Sequence, residues 1–505
     1  MKSILTVTFF AIATHICFAQ TNFTFSKSEP LLPKNSWPKM FFGCIGDNFY
    51  FVESIKESKG DNLTILDKEM KVTVSEPLVA NNANKQIIKP LILWNKIYML
   101  SLLSEKGTEQ TSVHLEEYDA ATLKYLDKNT EILNEGFKTK YFTDAGQYAA
   151  NWHFTVSPDS SKIAFLFYKK EIAYVTVLDK ELKQVWSNSV SLDKNRISAS
   201  VSSVKLLNNG EVFLLFSQAK GNDGIDYTLY CVTNNGGSVK SKDIPMDNQL
   251  FECALFVSKD SKPYLTGMYK KLGLQKPEGI FYHEIDMKTA GFAKENKYKI
   301  TSPIWPERLS QKQRAKAKDE DFKSVKDLDK YRHKIEIIEL SSGEYYFIIE
   351  QYKRNHAASA NDVDYSYDNV YVCYVNSQTG KSWDHLLAKS IRTNVLSKVS
   401  YISYENNGDL YLIYNDRLEN LDKTKDTEIS EYFYVKPQHN LKIFYAKYNK
   451  EGFVEKKQFD APDYNGVVRG YKTLSADGKS EYILLTRGTY NIWESTNAIW
   501  RISVE

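Results

Sequence analysis

A unit of two turns and two strands recurs along this chain, and this repeat constrains the fold more than any other feature of the sequence. Its clearest copy begins with a turn at Pro158 and continues as an alternating apolar strand, Ile163 to Phe167. A second strand, Ala173 to Leu178, leads to a second turn at Asp179. Turn residues of this kind between short apolar runs are typical of tight β-hairpins.

The first turn of the unit occurs eight times, mostly with Gly, Asn or Asp: Gly46-Asp47, Asn95-Lys96, Pro158-Asp159, Asn209-Gly210, Lys259-Asp260, Ser342-Gly343, Asn407-Gly408 and Asp477-Gly478. A short apolar strand follows each of them. The second turn occurs seven times and always carries Asp or Asn: Asp67, Asp119, Asp179, Asn234, Asp286, Asn376 and Asn449. The early copies recur every ~50–60 residues, the period of a four-stranded propeller blade, and two longer intervals indicate insertions.

The repeat therefore predicts an all-β fold, a single β-propeller of eight four-stranded blades, with seven blades as the alternative. The last unit ends after a third strand, Ala498 to Val504. The segment Phe23 to Leu31 resembles the fourth strand of the first unit, Val72 to Leu78. We expect this N-terminal strand to complete the last blade, which would remove an exposed sheet edge.

The N-terminus is typical of a secretory signal, with Lys2 before an apolar run and small residues near Ala19. Residues 1–19 are predicted to be removed before Gln20, leaving a propeller domain over residues 20–505. A lipid anchor on Cys17 is the alternative. No second hydrophobic segment follows, so we expect a periplasmic or extracellular protein. We also expect it to be a monomer. The formal charge of +3 argues against a nucleic-acid surface, which needs a concentrated basic stripe.

Four cysteines remain after cleavage, and none forms a C-x-x-C pair, which argues against a zinc site. All four fall in predicted strands: Cys44, Cys231, Cys253 and Cys373. Buried free thiols are the preferred interpretation, although export would permit disulfides.

Three short segments resemble known families. Ser157-Pro-Asp-Ser-Ser-Lys-Ile-Ala-Phe165 is similar to the hairpin of WD40-like propellers in periplasmic proteins such as the TolB family, except that serines replace the usual glycine. Val375 to Trp383 resembles the tryptophan turn of quinoprotein propellers. The region 312–420 resembles secreted bacterial proteins of unknown function, through Glu350-Gln-Tyr352, Lys389 and Asn415-Asp416. These resemblances imply blade architecture and bring no established chemistry.

The long segments that interrupt the repeat are predicted to share one face of the propeller. Strand alternation places connections between second and third strands, and between successive units, at the same edge of each sheet. This edge would carry insertions at residues 301–332, 353–367 and 417–437, and also the connection at residues 135–151. Because binding residues concentrate on loops held by a rigid scaffold, this face is the predicted functional surface.

The first insertion is predicted to contain a helix starting near Pro306, with an apolar stripe that includes Phe322 and Tyr331. It is either a partner-docking helix or a solvated surface helix. The second insertion combines carboxylates with tyrosines, which could hold Ca²⁺ through oxygen ligands, stack on sugar rings, or form a plain loop. The candidate binding residues are Trp305, Phe322, Tyr331, Glu350, Tyr352, Asp362, Asp364, Tyr365, Tyr367, Asp368, Lys389, Asn415 and Asp416.

Motifs of the common enzyme classes are absent from the sequence: there is no G-x-S-x-G, H-E-x-x-H, Walker loop or dinucleotide glycine fingerprint. No catalytic residues, metal ligands or cofactor are assigned. The leading hypothesis is a non-enzymatic extracytoplasmic propeller that binds or scaffolds a protein or cell-envelope component. The alternative is a carbohydrate-active or glycan-binding propeller. A quinone-dependent dehydrogenase is a weaker third hypothesis, because the tryptophan turn occurs once.

Overall fold

A computed structural model describes twenty segments of the chain: residues 23–27, 36–55, 60–78, 85–104, 111–135, 152–169, 172–192, 200–219, 225–233, 239–244, 250–270, 277–301, 331–356, 363–393, 401–424, 432–433, 441–459, 470–474, 480–485 and 499–504. Among these residues there is one helix, a 3₁₀ helix at Leu418–Asn420, and all other elements are β-strands. The predicted all-β class is confirmed. None of the described residues forms a helix long and apolar enough to cross a bilayer.

The strands form consecutive antiparallel sheets, numbered here in chain order. Sheet 1 contains β2 (Ser36–Ile45), β3 (Asn48–Ile55), β4 (Gly60–Leu66) and β5 (Val72–Pro77). Sheet 2 contains β6 (Lys85–Leu93), β7 (Lys96–Ser104), β8 (Thr111–Tyr118) and β9 (Tyr125–Glu135). Sheet 3 contains β10 (Trp152–Val156), β11 (Lys162–Lys169), β12 (Ile172–Asp179) and β13 (Gln184–Ser191). Sheet 4 contains β14 (Ser200–Leu206), β15 (Val212–Ala219), β16 (Ile225–Val232) and β17 (Val239–Ile244).

The later sheets carry the insertions. Sheet 5 contains β18 (Leu250–Val257), β19 (Pro263–Lys270), β20 (Pro277–Asp286) and β21 (Gly291–Lys299). Sheet 6 contains β22 (Tyr331–Ser341), β23 (Glu344–His356), β24 (Val363–Asn376), β25 (Ser382–Leu387), β26 (Ile391–Thr393) and β29 (Tyr432–Phe433). Sheet 7 contains β27 (Tyr401–Asn406), β28 (Asp409–Arg417), β30 (Leu441–Asn449) and β31 (Gly452–Gln458). Sheet 8 contains β32 (Gly470–Leu474), β33 (Ser480–Leu485), β34 (Ile499–Val504) and β1 (Phe23–Lys27).

The predicted number of regular blades needs correction. Seven sheets have four strands, so there are seven regular blades rather than eight, and sheet 6 has six strands. The extra strands arise because β24 is long enough to pair with β25 along one half and with β26 along the other, while β29 adds to β26. The predicted N-terminal strand is confirmed, because Phe23 to Lys27 pairs antiparallel with Trp500 to Val504.

Successive sheets pack side by side through their first strands, which contact one another between sheets 1 and 2, 3 and 4, 4 and 5, and 5 and 6. Shared apolar clusters join sheets 2 and 3 and sheets 6 and 7. Strand β32 of sheet 8 contacts both β27 of sheet 7 and β2 of sheet 1, so the last sheet packs against the first. Meander sheets that follow one another in this way have the architecture of a β-propeller.

The Asp and Asn residues of the predicted second turns act through their own side chains. Six of the seven lie within the described residues, and in each one Oδ1 accepts a backbone N–H from a residue two to four positions later: Asp67, Asp119, Asp179, Asp286, Asn376 and Asn449. This confirms the turn prediction. Asn234 and the first turn at 477–478 lie outside the described residues.

The strands extend into segments that the sequence suggests are insertions. Tyr331 begins β22, so it belongs to a strand and not to the predicted helix. Strand β23 continues to His356 and β24 begins at Val363, with Tyr352 paired to Tyr367. The hairpin therefore projects further than predicted, because alternating Tyr and Val residues favour strand pairing. The rest of the first insertion lies outside the described residues.

Candidate functional site

The edge that holds the connections between second and third strands is called the insertion face here, and the opposite edge the turn face. At the insertion face, sheets 6 and 7 meet in a cluster of buried charged and polar side chains. Strand alternation produces it: Tyr346 and Ile348 of β23 pack against Leu412 and Tyr414 of β28 in one apolar cluster. The next residues on the same two faces, Glu350 and Asp416, are carboxylates where the apolar contact ends.

Glu350 forms a buried ion pair with Lys389, which lies just after β25. The distance from Lys389 Nζ to Glu350 Oε1 is 3.0 Å, and both side chains are 0% exposed. Charges are buried at this depth only when they are paired, since each loses its hydration. The pair therefore fixes the segment after β25 against β23.

Asp416 is also fully buried, and it holds the start of the insertion between β28 and β30. Its Oδ1 accepts hydrogen bonds from Arg417 N at 2.8 Å and from Asn420 Nδ2 at 2.6 Å. Lys456 Nζ donates to Asn420 O at 2.7 Å. Burial raises the pKa of Asp416, while Lys456 and Lys389 act in the opposite direction. These contacts fasten the 3₁₀ helix to sheet 7.

A cation–aromatic group lies on β22, β23 and β24. Lys334 Nζ is 5.2 Å from the ring centre of Tyr352 and 5.0 Å from that of Tyr367, and the two rings are stacked with centres 6.1 Å apart. A register shift between Glu350 and Tyr352 on β23 creates this arrangement. Burial lowers the pKa of Lys334, against the effect of Glu350. Tyr367 is buried, whereas Tyr352 and Lys334 are half-buried and form the outer part of the cluster.

A further contact joins the two sheets directly. Ser403 Oγ on β27 donates a hydrogen bond to Glu336 on β22, and the buried Tyr401 lies close enough for Glu336 and Glu350 to raise its pKa further above the value that burial gives it. Sequence reasoning missed Lys334, Glu336 and Ser403. Their only signal is polar residues alternating with apolar ones in a first strand, which is equally typical of a solvent-facing edge.

The sixth strand of sheet 6 comes from the neighbouring unit. Strand β29 belongs to the insertion of sheet 7, and it pairs in parallel with β26, Ile391 with Tyr432 and Arg392 with Phe433. The insertion of one blade therefore continues the sheet of another. Together with the buried charges, this pairing makes sheets 6 and 7 one continuous platform at the insertion face.

Six of the thirteen candidate binding residues are buried or half-buried in sheets 6 and 7 or just after β25: Glu350, Tyr352, Tyr367, Lys389, Asn415 and Asp416. Tyr331 lies in β22, and Asp364, Tyr365 and Asp368 lie in β24. Trp305, Phe322 and Asp362 lie outside the described residues. No group of three or more His, Cys, Asp or Glu side chains in the described segments has the arrangement of a metal site.

The carboxylates of this cluster are placed to fix segments of the protein itself and not to transfer protons. Glu350 is paired with a cation and has no exposed surface, and Asp416 spends one oxygen on two donors inside the protein. A general acid or base must reach the proton that it transfers. Neither carboxylate is placed to do so, whereas Tyr352 and Lys334 can contact a bound molecule from the rim.

Comparison with known proteins gives no relative in sequence: no family model and no curated protein matches the chain. Among solved structures, it is similar to an oligogalacturonate lyase in complex with manganese, at 10% identity and a TM-score of 0.38, covering 96% of both chains. It is similar to the β-propeller domain of the Trilobed protease from Pyrococcus furiosus, at 12% identity and TM-score 0.35, covering 85% of this chain and 99% of that one. An uncharacterised protein from Listeria monocytogenes gives 9% identity and TM-score 0.37, covering 82% and 91%. Because these scores lie below 0.5, the propeller assignment rests on the sheet order and contacts described above.

Proposed function

We propose that this chain is an extracytoplasmic, non-enzymatic β-propeller that binds a protein or cell-envelope component through its insertion face. The observation that carries the proposal is the platform of sheets 6 and 7. Two insertions begin on it, one insertion contributes β29 to the neighbouring sheet, and buried charges fix the roots of both. A rigid base under long connections is the usual construction of a binding surface.

The proposal includes the predicted signal, since a protein that binds an envelope component has to leave the cytoplasm. The mature chain should begin at Gln20, and its residues 302–330 should supply part of the binding surface. N-terminal sequencing of the protein recovered from a cell fractionation tests the first point. Recovery in the cytoplasm with Met1 retained would contradict it.

The binding role is tested by crosslinking capture from envelope extracts with three proteins. These are the mature chain, a form in which a short Gly-Ser linker replaces residues 306–330, and a control with the exchange Lys180→Glu, Glu181→Lys. The control changes two exposed side chains on a turn of sheet 3, at the turn face. A partner captured by the first and third proteins but not by the second is the expected result. Equal capture by all three proteins would contradict binding through the insertion face.

The second candidate is glycan binding at the same face, and the stacked pair Tyr352 and Tyr367 beside Lys334 favours it. An aromatic face with a cation at its rim presents both apolar surface and a hydrogen-bond donor to a sugar ring. A glycan array probed with the mature chain and with Tyr352→Ala tests this. Specific glycans lost in the variant would favour it over protein binding, and an array without signal would exclude it.

A further inference from the structure

A cavity of about 320 Å³ lies at the turn face, far along the strands from the platform. The ends of the first strands of four consecutive sheets surround it: Val156 of β10, Lys205 of β14, Phe256 and Val257 of β18, and Glu339 of β22. First strands of neighbouring propeller blades surround the central axis, so this cavity lies beside that axis at the turn face and is called the axial cavity here. Its volume is at the lower end of the range for small-molecule sites, about 300–1,000 Å³.

Three charged residues line the cavity: Lys205, Lys259 and Glu339. Lys259 Nζ donates to Leu340 O at 3.3 Å, whereas Lys205 and Glu339 carry opposite charges and do not pair with each other. In the described part of the chain, Lys205 Nζ has no hydrogen-bond or ion-pair partner, and burial lowers its pKa. Glu339 is 7% exposed, and its Oε2 accepts a hydrogen bond from Lys259 N. Its Oε1 is buried and has no hydrogen-bond partner among the described residues, and burial raises the pKa of this carboxyl group. Burial therefore disfavours the charged form of both groups; the charge of Lys259 partly offsets this for Glu339, and no charged group offsets it for Lys205.

The apolar part of the wall lies beside these charges. Phe256 and Val257 are half-buried on β18, and Val156 is half-buried on β10. An anion would satisfy Lys205 but would leave Glu339 Oε1 unpartnered, and a cation would do the reverse. A molecule that carries both charges next to an apolar group would satisfy all three parts of the wall at once.

We propose that this axial cavity binds a free amino acid with an apolar side chain. The α-carboxylate accepts hydrogen bonds from Lys205 Nζ, the α-ammonium pairs with the carboxylate of Glu339, and the side chain lies against Phe256 and Val257. The site is on the opposite face from the platform, so amino-acid binding and the proposed partner binding can be tested independently.

Isothermal titration calorimetry of the mature chain tests the proposal with three probes: L-phenylalanine, 3-phenylpropionate, which lacks the ammonium, and phenethylamine, which lacks the carboxylate. Phenylalanine should bind at least about tenfold more tightly than either, the equivalent of ~1.4 kcal/mol. Equal affinities, or no heat with any probe at millimolar concentration, would overturn the proposal. This comparison needs no variant.

Two variants then assign the charges. Lys205→Met should weaken phenylalanine and 3-phenylpropionate at least about tenfold and leave phenethylamine unchanged. Glu339→Gln should weaken phenylalanine and phenethylamine and spare 3-phenylpropionate. Lys180→Met, an exposed lysine on another turn, is the matched control and should change nothing. If phenylalanine binds both variants as tightly as it binds the wild type, the site is elsewhere.

Discussion

The buried pair Glu350–Lys389 permits a quantitative prediction. At a separation of 3.0 Å the attraction is about 5–6 kcal/mol with an effective dielectric constant of ~20. Desolvation costs several kcal/mol for each ion, so the pair as a whole contributes little net stability. Removing one partner is different, because the remaining charge keeps its desolvation cost and loses the attraction. We therefore expect Glu350→Leu or Lys389→Met alone to cost about 3–5 kcal/mol.

The double variant Glu350→Leu, Lys389→Met should recover most of that loss, since two apolar side chains of similar volume replace the pair. For a chain of 505 residues, an unfolding entropy of about 2.1 cal/mol/K per residue gives roughly 1 kcal/mol per degree. Each single variant should thus lower the thermal midpoint by about 3–5 °C, and the double variant should return to within ~2 °C of the wild type.

Thermal unfolding followed by intrinsic fluorescence measures these shifts, and hydrogen exchange in β23 and β28 locates them. The matched control is the exposed pair Lys381–Glu451, which also joins sheets 6 and 7, with nitrogen and oxygen 2.6 Å apart. Lys381→Met should cost at most about 1 kcal/mol, because solvent screens the pair. If Lys389→Met costs no more than this control, or if the double variant shows the sum of the two single losses, the reasoning from burial is wrong.

Three further predictions follow. Burial raises the pKa of Asp416, so its ionised form lowers the free energy of unfolding at neutral pH, and this cost disappears below about pH 4. The variant Asp416→Asn keeps the acceptor for Asn420. In urea unfolding at neutral pH it should be as stable as the wild type or more stable by up to ~1 kcal/mol, and this gain should vanish in acid. A less stable variant at neutral pH would contradict this. Deleting residues 20–30 removes β1 from sheet 8 and should clearly lower the thermal midpoint, whereas an unchanged midpoint would show that the strand is dispensable. Burial raises the pKa of Cys231 to about 12 and also raises those of Cys253 and Cys373, so these thiols should react with Ellman's reagent only in guanidinium, and fast labelling of the native protein would refute their burial.

The sequence predicts the repeat well because its determinants are local. An Asp or Asn at the second turn bonds the backbone within four residues, so the turn needs no tertiary contact to be recognised. The second strand of each sheet contains the apolar run that the pattern predicts, from β3 to β33. The pairing of β1 with β34 was also predictable, since an incomplete last unit and a matching N-terminal strand both appear in the sequence.

Sheet 6 was less predictable because its extra strands depend on where separate segments meet. Residues 353–356 and 363–367 contain the polar residues and tyrosines of a loop as much as those of a strand, and only their mutual pairing decides between the two. The pairing of β29 with β26 joins insertions of different units. No local pattern encodes such a contact, and the number of regular blades was overestimated for this reason.

The candidate site shows the same division between local and long-range information. Glu350, Lys389 and Asp416 became candidates through a resemblance to secreted bacterial proteins, yet nothing in the sequence indicates that Lys389 contacts Glu350 or that Asn420 binds Asp416. Once these partners are known, the two carboxylates are better explained as fixed supports than as catalytic groups, because neither has surface with which to meet a substrate. The residues that can meet a ligand are then the outer ones, Tyr352 and Lys334 at the platform; at the other end of the propeller, the proposed amino-acid site depends on Lys205 and Glu339.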